Sequence, residues 1–107
     1  MFSEHQNVHE KLRPGGEWAN DGRGPMSSQE WASVEAYMGL FEHCERMLAN
    51  NLLDPETFQA IYAYRLHNIV NNQIICSTKL CLEAENWKDF IALLGRLKIN
   101  YSSDSNM

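Results

Sequence analysis

Six residues, Asn50-Asn51-Leu52-Leu53-Asp54-Pro55, constrain what this chain can fold into more than any other stretch. Asparagine tolerates the left-handed backbone that closes a helix. Asp54-Pro55-Glu56 opens one: the aspartate can cap free amides, proline suits the first turn, and the glutamate complements the helix dipole. The segment therefore reads as the end of one helix and the start of the next. So short a connection makes the two helices antiparallel neighbours, with Leu52 and Leu53 expected to close the end of their shared core.

Upstream, Ser27-Ser28-Gln29-Glu30 has the form of a capping box, in which serine takes a backbone amide and glutamate reaches back. Trp31, Val34, Met38, Phe41, Glu45 and Leu48, flanked by Tyr37 and Cys44, then recur at three- and four-residue spacing and predict a helix of about 23 residues. Downstream, Phe58, Ile61, Tyr62, Leu66, Ile69, Val70, Cys76 and Leu80 make a connected face, widened by Ile74 and Ile75. This predicts a second long helix with more than one packing neighbour. A third helix is expected after Asn86, with Asp89 at its third position and Trp87, Phe90, Ile91, Leu94 and Leu97 at helical spacing.

The expected fold is all-α: an antiparallel helical hairpin plus a third packing helix, with a short N-terminal helix over about residues 3 to 13. The 107 residues suffice for a single domain with one small core, placed at about residues 28 to 98. Residues 14 to 26 hold four glycines and two prolines and read as an irregular connection. Trp18 in its middle is expected to pin that loop to the helices, because a large aromatic gains most by packing. The tail, residues 100 to 107, has no packing pattern and is expected to fray.

Charge and composition narrow the function classes. A formal net charge of -5, with lysines and arginines scattered, opposes approach to a phosphate backbone, so no direct nucleic-acid binding is expected. No apolar run approaches the ~20 residues of a membrane helix, and no membrane association is expected. Three cysteines, Cys44, Cys76 and Cys81, cannot all pair within one chain, and a polar run follows Met1 where a secretory signal would be basic and then apolar. A cytoplasmic protein with reduced thiols is the simplest expectation.

The polar residue that stands out is Arg65, which an ideal helical wheel places inside the second helix's apolar face. A buried guanidinium needs partners. Folding the hairpin about its turn brings Arg65 level with Glu42, while Glu45 is better placed in angle, and Asn72 lies two turns further on. These four residues predict a polar seam through the hairpin. It serves either as a hydrogen-bonded network fixing helix register or as a ligand pocket. Catalysis there would want a histidine, yet His43 and His67 fall towards solvent.

Other constellations are weaker. His5 and His9 have the four-residue spacing of helical metal ligands, but no third ligand follows at a fixed distance, and two exposed histidines are the expected reading. No metal or cofactor is expected. Cys76 and Cys81 lack the Cys-x-x-Cys spacing of zinc or redox motifs. Gly22-Arg23-Gly24 lacks the strand and fuller glycine pattern of a phosphate loop. Tyr62 and Tyr64 beside Arg65 could stack a ring, but Tyr62 is first a core residue by spacing.

The runs Tyr37-Met38-Gly39-Leu40-Phe41-Glu42, Asn51-Leu52-Leu53-Asp54 and Ala63-Tyr64-Arg65-Leu66-His67-Asn68-Ile69 resemble a family of small helical bacterial domains of unassigned function. The likeness covers about residues 31 to 97 and matches at Phe41, Glu42, Asp54 and Arg65. It implies the helical fold and brings no activity.

The function expected from these features is a small cytoplasmic protein-interaction or regulatory module without catalytic activity. Its partner is expected to be another protein or a second copy of itself. Leu40, Met47 and Ile74 face away from the main stripes, and with Trp18 they exceed what a small bundle readily buries. A narrower version, from size and charge alone, is a phage-encoded inhibitor of a bacterial defence complex. The alternative is a ligand-binding module or enzyme using the Glu42, Glu45 and Arg65 seam.

Overall fold

The structure, a computed structural model, describes residues 6–19 and 23–100. Helices make up the described secondary structure: α1 (Gln6–Leu12), α2 (Ser28–Ala49), α3 (Pro55–Asn71), the single turn α4 (Gln73–Ile75) and α5 (Lys88–Arg96), with a π-helical segment (Cys76–Leu82) and a 3-10 turn (Ala84–Trp87) before α5. The expected all-α class is what is found. The tail, expected to fray, lies outside the described residues apart from Asn100.

Local chemistry starts and stops α2 and α3 where the sequence places the signals. The Ser27 hydroxyl accepts from the Glu30 amide at 3.1 Å, and the Glu30 carboxylate accepts from the Met26 and Ser27 amides. Asn51 at the far end adopts φ 62°, and the Leu52 amide closes back onto the Met47 carbonyl at 2.8 Å. Asp54 then caps α3, taking the Thr57 amide at 2.9 Å and its hydroxyl at 2.6 Å. Leu52 is exposed and Leu53 only partly covered, so the turn closes the core less fully than expected.

The second long helix is interrupted. The continuous apolar face predicted through Leu80 breaks at Asn72, whose backbone is extended at φ -78°, ψ 113°. Its side chain explains the break. Oδ1 accepts from the Ile75 amide, capping α4, while Nδ2 donates to the Trp18 and Arg23 carbonyls of the N-terminal loop. Asn72 thus exchanges one helical residue for three hydrogen bonds, and in doing so it straps the loop to the bundle.

That loop is ordered on both sides of the strap. The Trp18 amide donates to the Lys11 carbonyl at 2.7 Å, and a Cβ at Gly16 would collide with the Glu10 and Lys11 carbonyls, so only glycine lets the chain fold back over α1. Trp18 itself is buried and lies under the Lys11 ammonium, 4.8 Å from the ring centre. It pins the loop as expected, and for the same reason it is not part of an exposed interaction surface.

Phe41, fully buried in mid-α2, is the hub of the core. It meets the rings of Tyr37 on its own helix, Phe58 and Tyr62 on α3 and Phe90 on α5, all edge to face at 5.2 to 6.5 Å between centres. Bulky rings between α2 and α3 hold the two backbones apart, and the neighbour that lies closest along α2 is α5. α5 ends where Lys98 takes φ 59°, which turns Ile99 back into the core.

Candidate functional site

α5 also takes the polar residues that the sequence assigns to a seam. Glu45, buried on α2, receives both Nε and Nη2 of Arg96 at 2.8 Å, the paired geometry that suits a guanidinium and a carboxylate. That contact raises the Arg96 pKa above its ordinary value. Glu42 accepts from the Phe90 amide at 3.1 Å. It thereby supplies the cap that α5 lacks from its own chain neighbours, since Trp87 at the N-cap position makes no side-chain cap and Asn86 does not serve as one. Asn72 is committed to the loop.

The seam of Glu42, Glu45, Arg65 and Asn72 is therefore not assembled. Arg65 instead keeps company with tyrosines, its guanidinium carbon 5.9 Å from the Tyr64 ring centre. Burial works against its charge, but hydrogen bonding to Tyr37 and the presence of Tyr64 outweigh this and hold its pKa up. The physical reason for the correction is α5. It covers the flank of α2 that bears Glu42 and Glu45, so the acids meet α5 before they can meet α3.

His9 is a second correction. It is buried at 5% exposure rather than solvated, with Nε2 3.3 Å from the Tyr64 hydroxyl and the two rings edge to face. Burial lowers its pKa, and the nearby Arg65 and Arg13 lower it further, with Glu10 opposing. His5 lies outside the described residues. Among the described residues no three His, Cys, Asp or Glu side chains gather closely enough to hold a metal ion.

One cluster escaped the sequence reading. Lys79 is buried at 2% exposure, its Nζ 2.6 Å from Glu35 and 2.9 Å from Glu83, with the rings of Trp31 and Trp87 at 5.1 and 5.8 Å. Desolvation works against its charge, and the two carboxylates more than compensate, so its pKa is raised. The four-residue spacing of Lys79 and Glu83 was a visible signal. The pairing with Glu35, far away in sequence, was not.

Together these contacts sort α2 into two sides. Each of its five charged residues has a partner: Glu30 with Lys11, Glu35 with Lys79, Glu42 with the Phe90 amide, Glu45 with Arg96 and Arg46 with Asp89. The other side, Ala32, Ser33, Ala36, Gly39, Leu40, His43 and Met47, carries no carboxylate, lysine or arginine. Against that side and the start of α3 lies an open apolar groove of about 570 Å³, whose walls include Leu40, Met47, Leu53, Phe58, Ile61 and Tyr62.

Leu40 and Met47, expected as part of an interaction surface, sit in this groove. Ile74 does not, because it packs against Gly24 of the strapped loop. Ile61, which spacing assigns to the core, stands at the rim half exposed at 52%. The groove's polar groups are few: His43, Thr57 and Asp54, the last two already bonded to each other. Cys44 in its wall has a thiol whose pKa burial pushes up, which makes it an apolar lining group rather than a nucleophile.

No helix among the described residues is long and apolar enough to cross a membrane. The chain matches no family model, no curated protein and no solved structure.

Proposed function

We propose that this chain is a small protein-docking module that acts by binding and not by chemistry, and that its docking site is the groove between α2 and α3. The observation that carries the reading is the sorting of α2. Its charges are all spent on one flank, and the opposite flank is uncharged and opens into an apolar cleft. Protein interfaces are depleted of charge at their centre and enriched in methionine and aromatic residues, which describes the partly exposed Met47 and Tyr62 here.

A volume near 570 Å³ also lies within the range of small-molecule sites. Such sites orient their ligands with placed polar groups, and this groove has little to offer beyond His43. Apolar side chains of a protein partner suit it better. The ligand-binding and enzymatic alternative loses its support with the seam, because Glu42 and Glu45 are both committed to α5. A cytoplasmic location with reduced thiols and a role as a phage-encoded inhibitor remain the narrower form of the proposal.

The test is affinity capture from a bacterial lysate, comparing the wild-type chain with Leu40→Asp and with Asn86→Glu on the far side. A dominant partner retained by wild type and Asn86→Glu but lost with Leu40→Asp supports the groove. Capture that ignores Leu40→Asp removes it.

A further inference from the structure

We propose that the occupant of the groove is a second copy of this chain, joined across a two-fold axis into a weak, reversible dimer; this rests on the docking reading above. Three features of the surface lead there. The first is charge. The chain is acidic overall, so two copies repel wherever their acids face each other, and a self-contact is tolerated only where that charge is missing. The flank from Ala32 to Met47 is such a place, and α3 adds Thr57, Ala60, Ile61 and Tyr64 beside it, again without a formal charge. The groove's one carboxylate, Asp54, is bonded to the Thr57 amide and hydroxyl at the start of α3, so a basic partner would find a single acid to steer by rather than an acidic rim.

The second feature is shape. A two-fold contact requires one patch to fit itself, so it needs a hollow and a protrusion side by side. The groove is the hollow. Ile61 at 52% exposure stands at its rim, and Ala36 and Gly39 leave the neighbouring turns of α2 low enough for a helix to approach. A Cβ placed on Gly39 would meet nothing within 4 Å.

The third feature is size. The flank is ~22 Å long at 1.5 Å per residue and, across two helices, ~20 Å wide, a flat footprint of roughly 450 Å². Stable complexes hide about 800 Å² of accessible surface on each partner. The contact falls at the small end, which fits a dimer that forms and separates with concentration rather than an obligate one. The monomer's core is complete without it.

Sedimentation equilibrium of the full chain tests this from low-micromolar to high-micromolar concentration. The expected result is a weight-average mass that climbs from one 12.4 kDa chain towards two. Ile61→Glu and Ala36→Glu, both at exposed positions, place a carboxylate opposite or near its symmetry mate. They are expected to weaken association by more than about tenfold while leaving circular dichroism unchanged. Asn86→Glu adds the same charge away from the groove and is expected to dimerise like the wild type.

A wild-type chain that stays monomeric throughout overturns the proposal, and so does a dimer indifferent to both groove substitutions. Binding of the apolar dye anilinonaphthalene sulfonate separates this failure from that of the docking reading. A monomer whose dye binding is abolished by Ile61→Glu has lost the dimer and kept the groove; a monomer without dye binding has lost both.

Discussion

The two flanks of α2 obey different rules. On the side of α5, Phe90 is fully buried against Phe41, Glu42 caps the incoming helix and Glu45 grips Arg96, so apolar packing and polar contacts reinforce one another. On the side of the groove, α3 is held off by aromatic rings, and Leu40, Met47 and Ile61 remain partly open to water. One flank is built to hold the chain together, and the other is left as an open groove. The difference teaches that a helix pair adjacent in sequence need not be the pair that packs most closely. A short turn keeps two helices consecutive, but the side chains between them fix their separation.

Substitutions on the two flanks should therefore differ sharply in their effect on folding. The largest loss is expected for Phe90→Ala, which empties the α5 side of the core and should cost about 3–5 kcal/mol in urea unfolding. A loss below about 1 kcal/mol would show that α5 is not the principal partner of α2. Next is Glu42→Ala, which leaves the Phe90 amide without its acceptor. About 1 kcal/mol is expected, with amide exchange accelerated at the start of α5 and not in α3.

His9 gives a pH test of a region outside both flanks, where α1 meets α3. Its pKa is lowered on folding, so the unfolded chain takes up the proton first as pH falls. The stability due to keeping the imidazole neutral is fully present above its ordinary value of 6.5 and is lost as pH drops below that towards the folded value. Urea midpoints for the wild type should therefore fall more between about pH 7.5 and about pH 5 than those of His9→Gln. Equal slopes would mean that the buried histidine does not couple α1 to α3. The smallest effect is expected from Ile61→Glu, measured on dilute protein: within about 0.5 kcal/mol of wild type, because the residue stands at an open rim. A large loss there would turn the groove into core.

Much of the fold was legible because its signals are local. The capping box at Ser27, the left-handed Asn51 and the Asp54-Pro55 start depend on residues a few positions apart, and each is found where the sequence puts it. Asn72 was misread because apolar spacing runs through it unbroken. Its preference for a cap was visible, but the loop carbonyls that make the cap worthwhile lie some 50 residues away. Half of the candidate surface was legible too. Leu40 and Met47 are in the groove, whereas Trp18 and Ile74 are taken up by the loop that Asn72 straps down.

By itself the sequence determined the helical class, the limits of α2 and the start of α3. Those follow from hydrogen bonds and torsions within a turn or two of the chain. Only the tertiary structure decided which neighbour covers each face. Periodicity shows that a flank of α2 is apolar or that an acid sits at its edge, but not that α5 arrives there first. That arrival gave Glu45 to Arg96, gave Glu42 to the Phe90 amide, left Arg65 among tyrosines, and left the uncharged opposite flank of α2 open.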